Sequence, residues 1–272
     1  MDDNQTELQE QKPKKSFWEI VAPKRLLLVL PAMIAMFFLL NAKNNPDFAE
    51  NYASKFYPIF SVPLHKLTSC IPFSLGELLI ALFILFVVVW IIVFIVGIIK
   101  KPHRIARFIT FVINIICIAS VFVFFYTFLF GINYYRNPFA VNEKIVIESY
   151  SSEQLKEACM FYADGLTKAS ENGHDFTDFS FDDMCLRTSE AYESLSVKYS
   201  TLSGNYIKGK QIFSSELMSY TNITGVFYPF TMEANINKNV PVYTIPFTLC
   251  HEMAHLHGYM RENEANFIAF LA

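Results

Sequence analysis

Residues 78–99, LLIALFILFVVVWIIVFIVGII, and residues 108–132, FITFVINIICIASVFVFFYTFLFGI, carry no charged side chain. About 20 apolar residues in a helix cross the roughly 30 Å hydrocarbon core of a bilayer, and each stretch is long enough. Lipid offers the backbone no hydrogen-bond partner, so a crossing segment must be a helix that satisfies its own amides. Two such stretches restrict the chain to folds organised around a membrane, and the lipid bilayer is its first expected partner. Composition agrees: 53% of the 272 residues are hydrophobic and 28 are Phe, more than an ordinary soluble protein carries. A formal net charge of −3 offers nucleic acid no basic surface, and none is expected as a partner.

A third apolar segment, LLLVLPAMIAMFFLL at 26–40, is shorter and contains Pro31. A long charged region precedes it and no small-x-small cleavage site follows, so it reads as an uncleaved first span rather than a signal peptide. Lys12, Lys14, Lys15, Lys24 and Arg25 precede this span, and Lys100, Lys101, Arg104 and Arg107 separate the second from the third. The longer connection at 43–77 has only Lys43, Lys55 and Lys66. Basic flanks stay in the cytoplasm, so three spans starting inside carry everything after residue 132 outside. The predicted organisation is a multi-pass cell-membrane protein: a cytoplasmic tail over 1–24, a membrane region over 25–135 with spans near 26–42, 78–99 and 108–132, and an extracytoplasmic domain over 136–272. The 43–77 connection, with Pro46, Pro58, Pro63 and Pro72 among aromatics, is expected to be ordered and to pack on the later domain. The polar stretch 1–15 reads as a disordered tail.

Beyond Tyr134 the composition becomes that of a globular domain. Ser151 and Gln154 form a capping-box pattern, and Leu155, Ala158, Cys159, Tyr162 and Leu166 recur at helical spacing. A turn-rich loop, ENGHDFTDFS, separates this helix from a second over 181–199. KGKQIFSSELMSY and ITGVFYPFTMEANIN suggest short strands and turns. Cys159 and Cys185 sit on two helices where either a disulfide or two free thiols fits the spacing. Cys117 lies in a span and reads as packing. His65, His103 and His174 are isolated and read as structural or solvent-facing.

The chain closes with TLCHEMAHLHGYMRENEANFIAFLA. HEMAH matches H-E-x-x-H: residues four apart share one helix face, so His251 and His255 can bind one zinc ion. Glu252 then stays free to take a proton from water, whose pKa zinc lowers to about 7. A catalytic site needs a third protein ligand. The metzincin pattern would put a histidine where this chain has Arg261, so that reading fails. RENEANFIAFLA reads as a second helix with Glu262, Ala265, Asn266 and Ala269 on one stripe. Its small residues allow close approach, making Glu262 the favoured third ligand, with Glu264 on another face as the alternative. Asn266, one turn on, is placed to hydrogen-bond a ligand histidine. His257 faces away from the pair and reads as a helix-end or surface residue. Tyr259 and Arg261 are weighed as oxyanion partners but read as packing and capping groups. Glu233, Asn235 and Asn237 are weighed as cleft residues, with ordinary strand and turn polarity the simpler account.

TGVFYPFTMEANINKNVP followed by PFTLCHEMAHLHGYMRENEANFIAFLA resembles a bacterial membrane family, domain of unknown function 3810. The resemblance implies a multi-span protein with a zincin-like fold and carries over His251, Glu252, His255 and the pair Glu262/Glu264. The E-x-x-A-N order is similar to the E-x-x-A-D order of gluzincin-type peptidases, whose first glutamate binds zinc, although the interval from His255 to Glu262 is shorter here. Members of the family continue beyond the motif, which implies further chain after Ala272. In zincins a strand edge beside the motif helix pairs with extended peptide, and GVFYPFTMEANIN supplies the candidate. The expected fold is therefore three transmembrane helices followed by a mainly α, α+β zincin-like metallopeptidase domain. The expected function is zinc-dependent hydrolysis of a peptide or protein substrate outside the membrane. The alternatives are a non-catalytic sensor or assembly protein with a structural zinc, and a zinc amidase acting on cell-wall peptides.

Overall fold

The computed structural model describes residues 16–171, 179–204, 206 and 208–272. The tail at 1–15 with its three lysines, and most of the ENGHDFTDFS loop with His174, lie outside the described residues.

Helix α1 (Phe17–Val21) starts at a capping box made by Ser16 and Glu19. A tight 3-10 turn at Pro23–Val29 leads into α2 (Leu30–Asn44). Pro31 falls in the first turn of α2, where a missing N–H costs nothing. Together these form one run, Phe17–Asn44, long and apolar enough to cross a membrane. Two short helices follow, α3 (Pro46–Asn51) and α4 (Tyr57–Ser69), joined by a π-helical turn at Tyr52–Phe56. The proline-rich connection is thus ordered, as expected, but mostly helical: Pro46 and Pro58 occupy helix first turns. It packs on the later part of the chain. The Tyr57 hydroxyl donates to Met232 Sδ at 3.4 Å, and His65 Nδ1 donates to the Met232 carbonyl at 2.7 Å.

The second and third membrane-length helices are α5 (Leu75–Lys100) and α6 (Arg104–Tyr126), the latter extended by a π turn at Thr127–Gly131. Ser74 caps α5 through the Glu77 amide. The two helices meet through Phe94 and Phe111, stacked at 3.9 Å, while α5 leaves nearly all of its apolar surface exposed. On α6, the Ser120 hydroxyl accepts from the Ala32 amide at 2.9 Å and donates to the Val29 carbonyl at 3.2 Å, tying α6 to the start of α2. Cys117 is buried in the same contact and donates to the Arg25 carbonyl.

The remainder comprises α7 (Phe139–Asn142), α8 (Ser152–Glu171), α9 (Phe181–Lys198), β1 (Lys210–Gln211), α10 (Ser215–Tyr220), β2 (Gly225–Tyr228), β3 (Glu233–Ile236), α11 (Ile245–Leu256) and α12 (Glu262–Leu271). The sheet order is β1-β3-β2, with β1 parallel and β2 antiparallel to β3. Strand patterning is therefore realised at β1, β2 and β3, but Ser215–Tyr220 is helical. The Glu77 carboxylate accepts from the Phe213 and Ser214 amides at 2.7 and 2.6 Å, fixing that helix start by a tertiary contact no local pattern reveals. The predicted capping box of α8 is present, but its apolar stripe stays exposed at Leu155, Tyr162 and Leu166. Cys159 is exposed on it, Cys185 is buried on α9, and both are free thiols.

One buried ion pair ties the sheet to the start of α5. Lys210 on β1 pairs with Glu233 on β3, and its other two protons go to the Thr68 and Phe73 carbonyls at 2.8 and 2.9 Å. Glu233 also accepts from the Leu75 and Gly76 amides at 3.0 and 2.7 Å and from the Thr231 hydroxyl at 2.8 Å. The main core joins Ala42, Ala49 and Tyr57 from the helices near the N-terminus to Ile132, Phe139, Leu202, Met253, Tyr259 and Ile268.

Candidate metal centre

Pro246 occupies the first turn of α11, and the helix stops at Leu256 because Gly258 adopts φ +84°, a conformation side chains resist. The reversal carries the Tyr259 carbonyl back to His255, whose Nδ1 donates to it at 2.7 Å. A carbonyl can only accept, so the proton sits on Nδ1 and the His255 Nε2 lone pair is bare. His251 Nδ1 donates to the Asn266 side-chain oxygen at 2.9 Å, leaving its Nε2 bare as well.

Buried Ala265 and Ala269 let α12 lie against α11 and bring Glu262 over the two rings. Its carboxylate stands 3.1 Å from His251 Nε2 and 3.6 Å from His255 Nε2. Two imidazole lone pairs and a carboxylate thus converge, acceptor upon acceptor, an arrangement that a cation between them relieves. One donor atom from each residue lies within 4.8 Å of the others. Zinc at 2.0–2.2 Å from N and O ligands sets tetrahedral ligands about 3.4 Å apart. The Glu262 oxygens, at 3.1 and 3.6 Å from the two imidazole nitrogens, already stand near that spacing. The N₂O donor set, with an open cleft beside it, fits a catalytic type of zinc site.

Glu264, the alternative ligand, points elsewhere: it accepts from the Phe139 amide at 2.7 Å and pairs with Arg261 Nε at 2.6 Å. Arg261 is therefore committed to Glu264 and to the Arg136 carbonyl, and the Tyr259 hydroxyl donates to Thr201 Oγ1 at 2.6 Å. Both residues pack and cap. Glu233, Asn235 and Asn237 are buried away from the cleft, Glu233 in its ion pair and Asn237 against the Ile223 carbonyl. His257 does face away from the pair, but it is buried rather than at the surface. Its ring stacks on Tyr192 at 4.8 Å and meets Tyr206 edge-on at 4.7 Å, with the Ser203 backbone close but outside hydrogen-bond geometry. Burial, then the charge of Arg136, lowers its pKa to about 3, so it stays neutral.

Glu252 projects from α11 beneath β2. A Cβ on Gly225 would lie 2.5 Å from Glu252 Oε1, so only glycine lets the strand pass this close. The cleft has a volume of about 420 Å³ and is walled by Gly225, Phe227, Thr248, Phe247 and Phe130 around the metal-ready residues. Burial, with Glu262 as the second cause, pushes the Glu252 pKa from 4.5 up to about 8. Below about 4.5 both folded and unfolded chains keep this proton. Between 4.5 and about 8 the unfolded chain gives it up first, so the metal-free fold loses this contribution as pH rises. Metal-free Glu252→Gln is expected to gain stability relative to wild type across that window. Paired thermal melts in chelator check this; a constant gap between the two curves would show a solvated carboxylate.

Sequence reasoning missed Arg136. Its guanidinium pairs with Glu50 at 2.7 Å, donates to the His257 carbonyl at 3.1 Å and covers the Tyr259 ring at 4.0 Å. It thereby holds the turn whose carbonyl orients His255. A single arginine after an apolar span carries no signal of that role. Phe130 and Gly225 were equally silent.

A family model described as a protein of unknown function, DUF3810, matches residues 52–272. No curated protein and no solved structure matches the chain.

Proposed function

We propose that this chain, which belongs to the DUF3810 family, is a membrane-anchored zinc metallopeptidase with a zincin-like site on the extracytoplasmic side. The observation that carries the reading is the convergence of bare His251 Nε2, bare His255 Nε2 and the Glu262 carboxylate, with Glu252 free beside them. Zinc held there would polarise a scissile carbonyl and acidify the attacking water. Asn266 and the Tyr259 carbonyl keep the two imidazoles turned to the centre. The charge of a zinc ion held beside it would bring Glu252 to its carboxylate form, and that carboxylate takes a proton from water as the water oxygen bonds to the carbonyl carbon. It then hands that proton to the nitrogen as the C–N bond breaks, leaving a carboxylate and an amine. Among the described residues strand β2 has a partner strand on one side only, which leaves its other edge beside the cleft for an extended peptide.

Orientation follows from charge. Lys100, Lys101 and Arg104 lie where α5 meets α6, and the cleft residue Phe130 lies at the opposite end of the helix pair. Basic flanks are retained in the cytoplasm, which sends the cleft outside.

Elemental analysis of the purified full chain is expected to find one zinc per chain. Glu262→Gln should lose it and Glu264→Gln should keep it. Wild-type protein that is folded yet takes up no zinc would end this reading. Zinc retained by Glu262→Gln but lost by Glu264→Gln would reassign the third ligand.

A further inference from the structure

We propose that the substrate is a lipid-linked peptide whose alkyl chain lies in an apolar groove between α5 and α6, a proposal that rests on the metallopeptidase reading above. The groove has a volume of about 580 Å³ and is lined by Leu79, Ile80, Phe83, Phe122, Tyr228 and Phe230 among others, with an almost wholly apolar surface. It occupies the first two turns of α5 and the last of α6, at the cleft end of both helices, and reaches about 10 Å down α5 from Gly76 to Phe83. Its mouth is built by the β2–β3 hairpin: the Tyr228 ring lies directly on Gly76, and Phe230 packs on Phe122 at 4.9 Å.

Two features connect this groove to the metal-ready cleft. Strand β2 runs from Gly225, against Glu252, to Tyr228 at the groove mouth, three residues or about 10 Å. Phe130 of the cleft stacks on Tyr126 of the groove at 5.1 Å. The groove is also continuous with the exposed apolar flanks of α5 and α6, so a chain already in the bilayer can enter sideways.

The groove's shape and chemistry select the occupant. A helix with side chains is about 10 Å wide and would fill roughly 800 Å³ over the groove's length of about 10 Å, more than the groove holds, so a further membrane helix does not fit. An extended peptide would leave its amides unpaired against apolar walls. An alkyl chain needs no partner. A peptide tethered to that chain and lying along β2 presents the bond about three residues from its lipid-bearing residue to Glu252. Hydrolysis then releases the peptide from its anchor: water's oxygen bonds to the carbonyl carbon, its proton goes to the departing nitrogen, and the remainder stays on the lipid.

The test uses the full zinc-loaded chain in phosphatidylcholine vesicles and degenerate peptides, either free or palmitoylated at one end or the other. Cutting is expected to favour the palmitoylated peptides by at least roughly tenfold, since the tether raises local concentration, and to fall at a fixed distance of about three residues from the anchor. Ile80→Trp and, as a second variant, Phe83→Trp fill the groove and should bring that preference towards unity. Independently of zinc, a palmitoyl analogue with a photoreactive alkyl chain should crosslink to the groove in wild type and not in the filled variants. Equal cutting of free and palmitoylated peptides overturns the proposal and leaves the metallopeptidase reading standing. Crosslinks spread evenly around α5 and α6 overturn it too, because the chain then rests in bulk lipid. Groove-specific crosslinks with no cutting of either peptide overturn the peptidase reading and this substrate with it, leaving only a groove that binds alkyl chains.

Discussion

Glu252→Gln is expected to lower peptide hydrolysis by at least about 100-fold, the contribution of a positioned general base, while zinc stays at one per chain. The glutamine keeps the shape and the close pass under Gly225 but can no longer take a proton. Because Glu252 is not among the three converging ligands, its loss should leave metal uptake intact. The combination matters more than either half. Lost hydrolysis with retained zinc fits a base acting on water. Zinc retained with no change in any hydrolytic readout would favour a structural metal in a sensor or assembly protein.

Lys210→Met is expected to destabilise the fold by about 3–5 kcal/mol, because it strands a buried carboxylate without its countercharge. Lys210 spends all three protons, on Glu233 and on the Thr68 and Phe73 carbonyls, so its loss leaves three acceptors short of a donor. Replacing both residues, Lys210→Met with Glu233→Leu, should recover part of the loss by removing the orphaned charge. Thermal melts of wild type and the two variants in detergent measure the difference. A single mutant within about 1 kcal/mol of wild type would mean that Glu233 is satisfied by the Leu75 and Gly76 amides and the Thr231 hydroxyl, which already donate to it.

The three long helices were legible because hydrocarbon imposes one rule on every residue in a crossing segment, and hydropathy alone reads it. His251, His255 and Glu252 were legible because the motif maps directly onto one helical turn, and Glu262 with Asn266 because small residues at 265 and 269 predict close approach. What stayed hidden depends on contacts between distant segments. Arg136 acts through Glu50 and the His257 carbonyl, and neither partner is marked by spacing. The burial of His257 is hidden because helical phase places it away from His255 but says nothing of Tyr192 and Tyr206, which enclose it. The helix at Ser215–Tyr220 is hidden for the same reason: Glu77, far back in the sequence, holds its start.

The shared core has a practical meaning for anyone wishing to handle the C-terminal half in plain buffer. Ala42, Ala49 and Tyr57 fill the same interior as Met253 and Ile268, and Glu50 secures the arginine behind the histidine turn. A water-soluble fragment beginning at residue 136 would therefore be born with a missing wall, and crystallography or screening on it would examine a wounded site. Studies of this chain belong in nanodiscs or detergent, with the anchor attached.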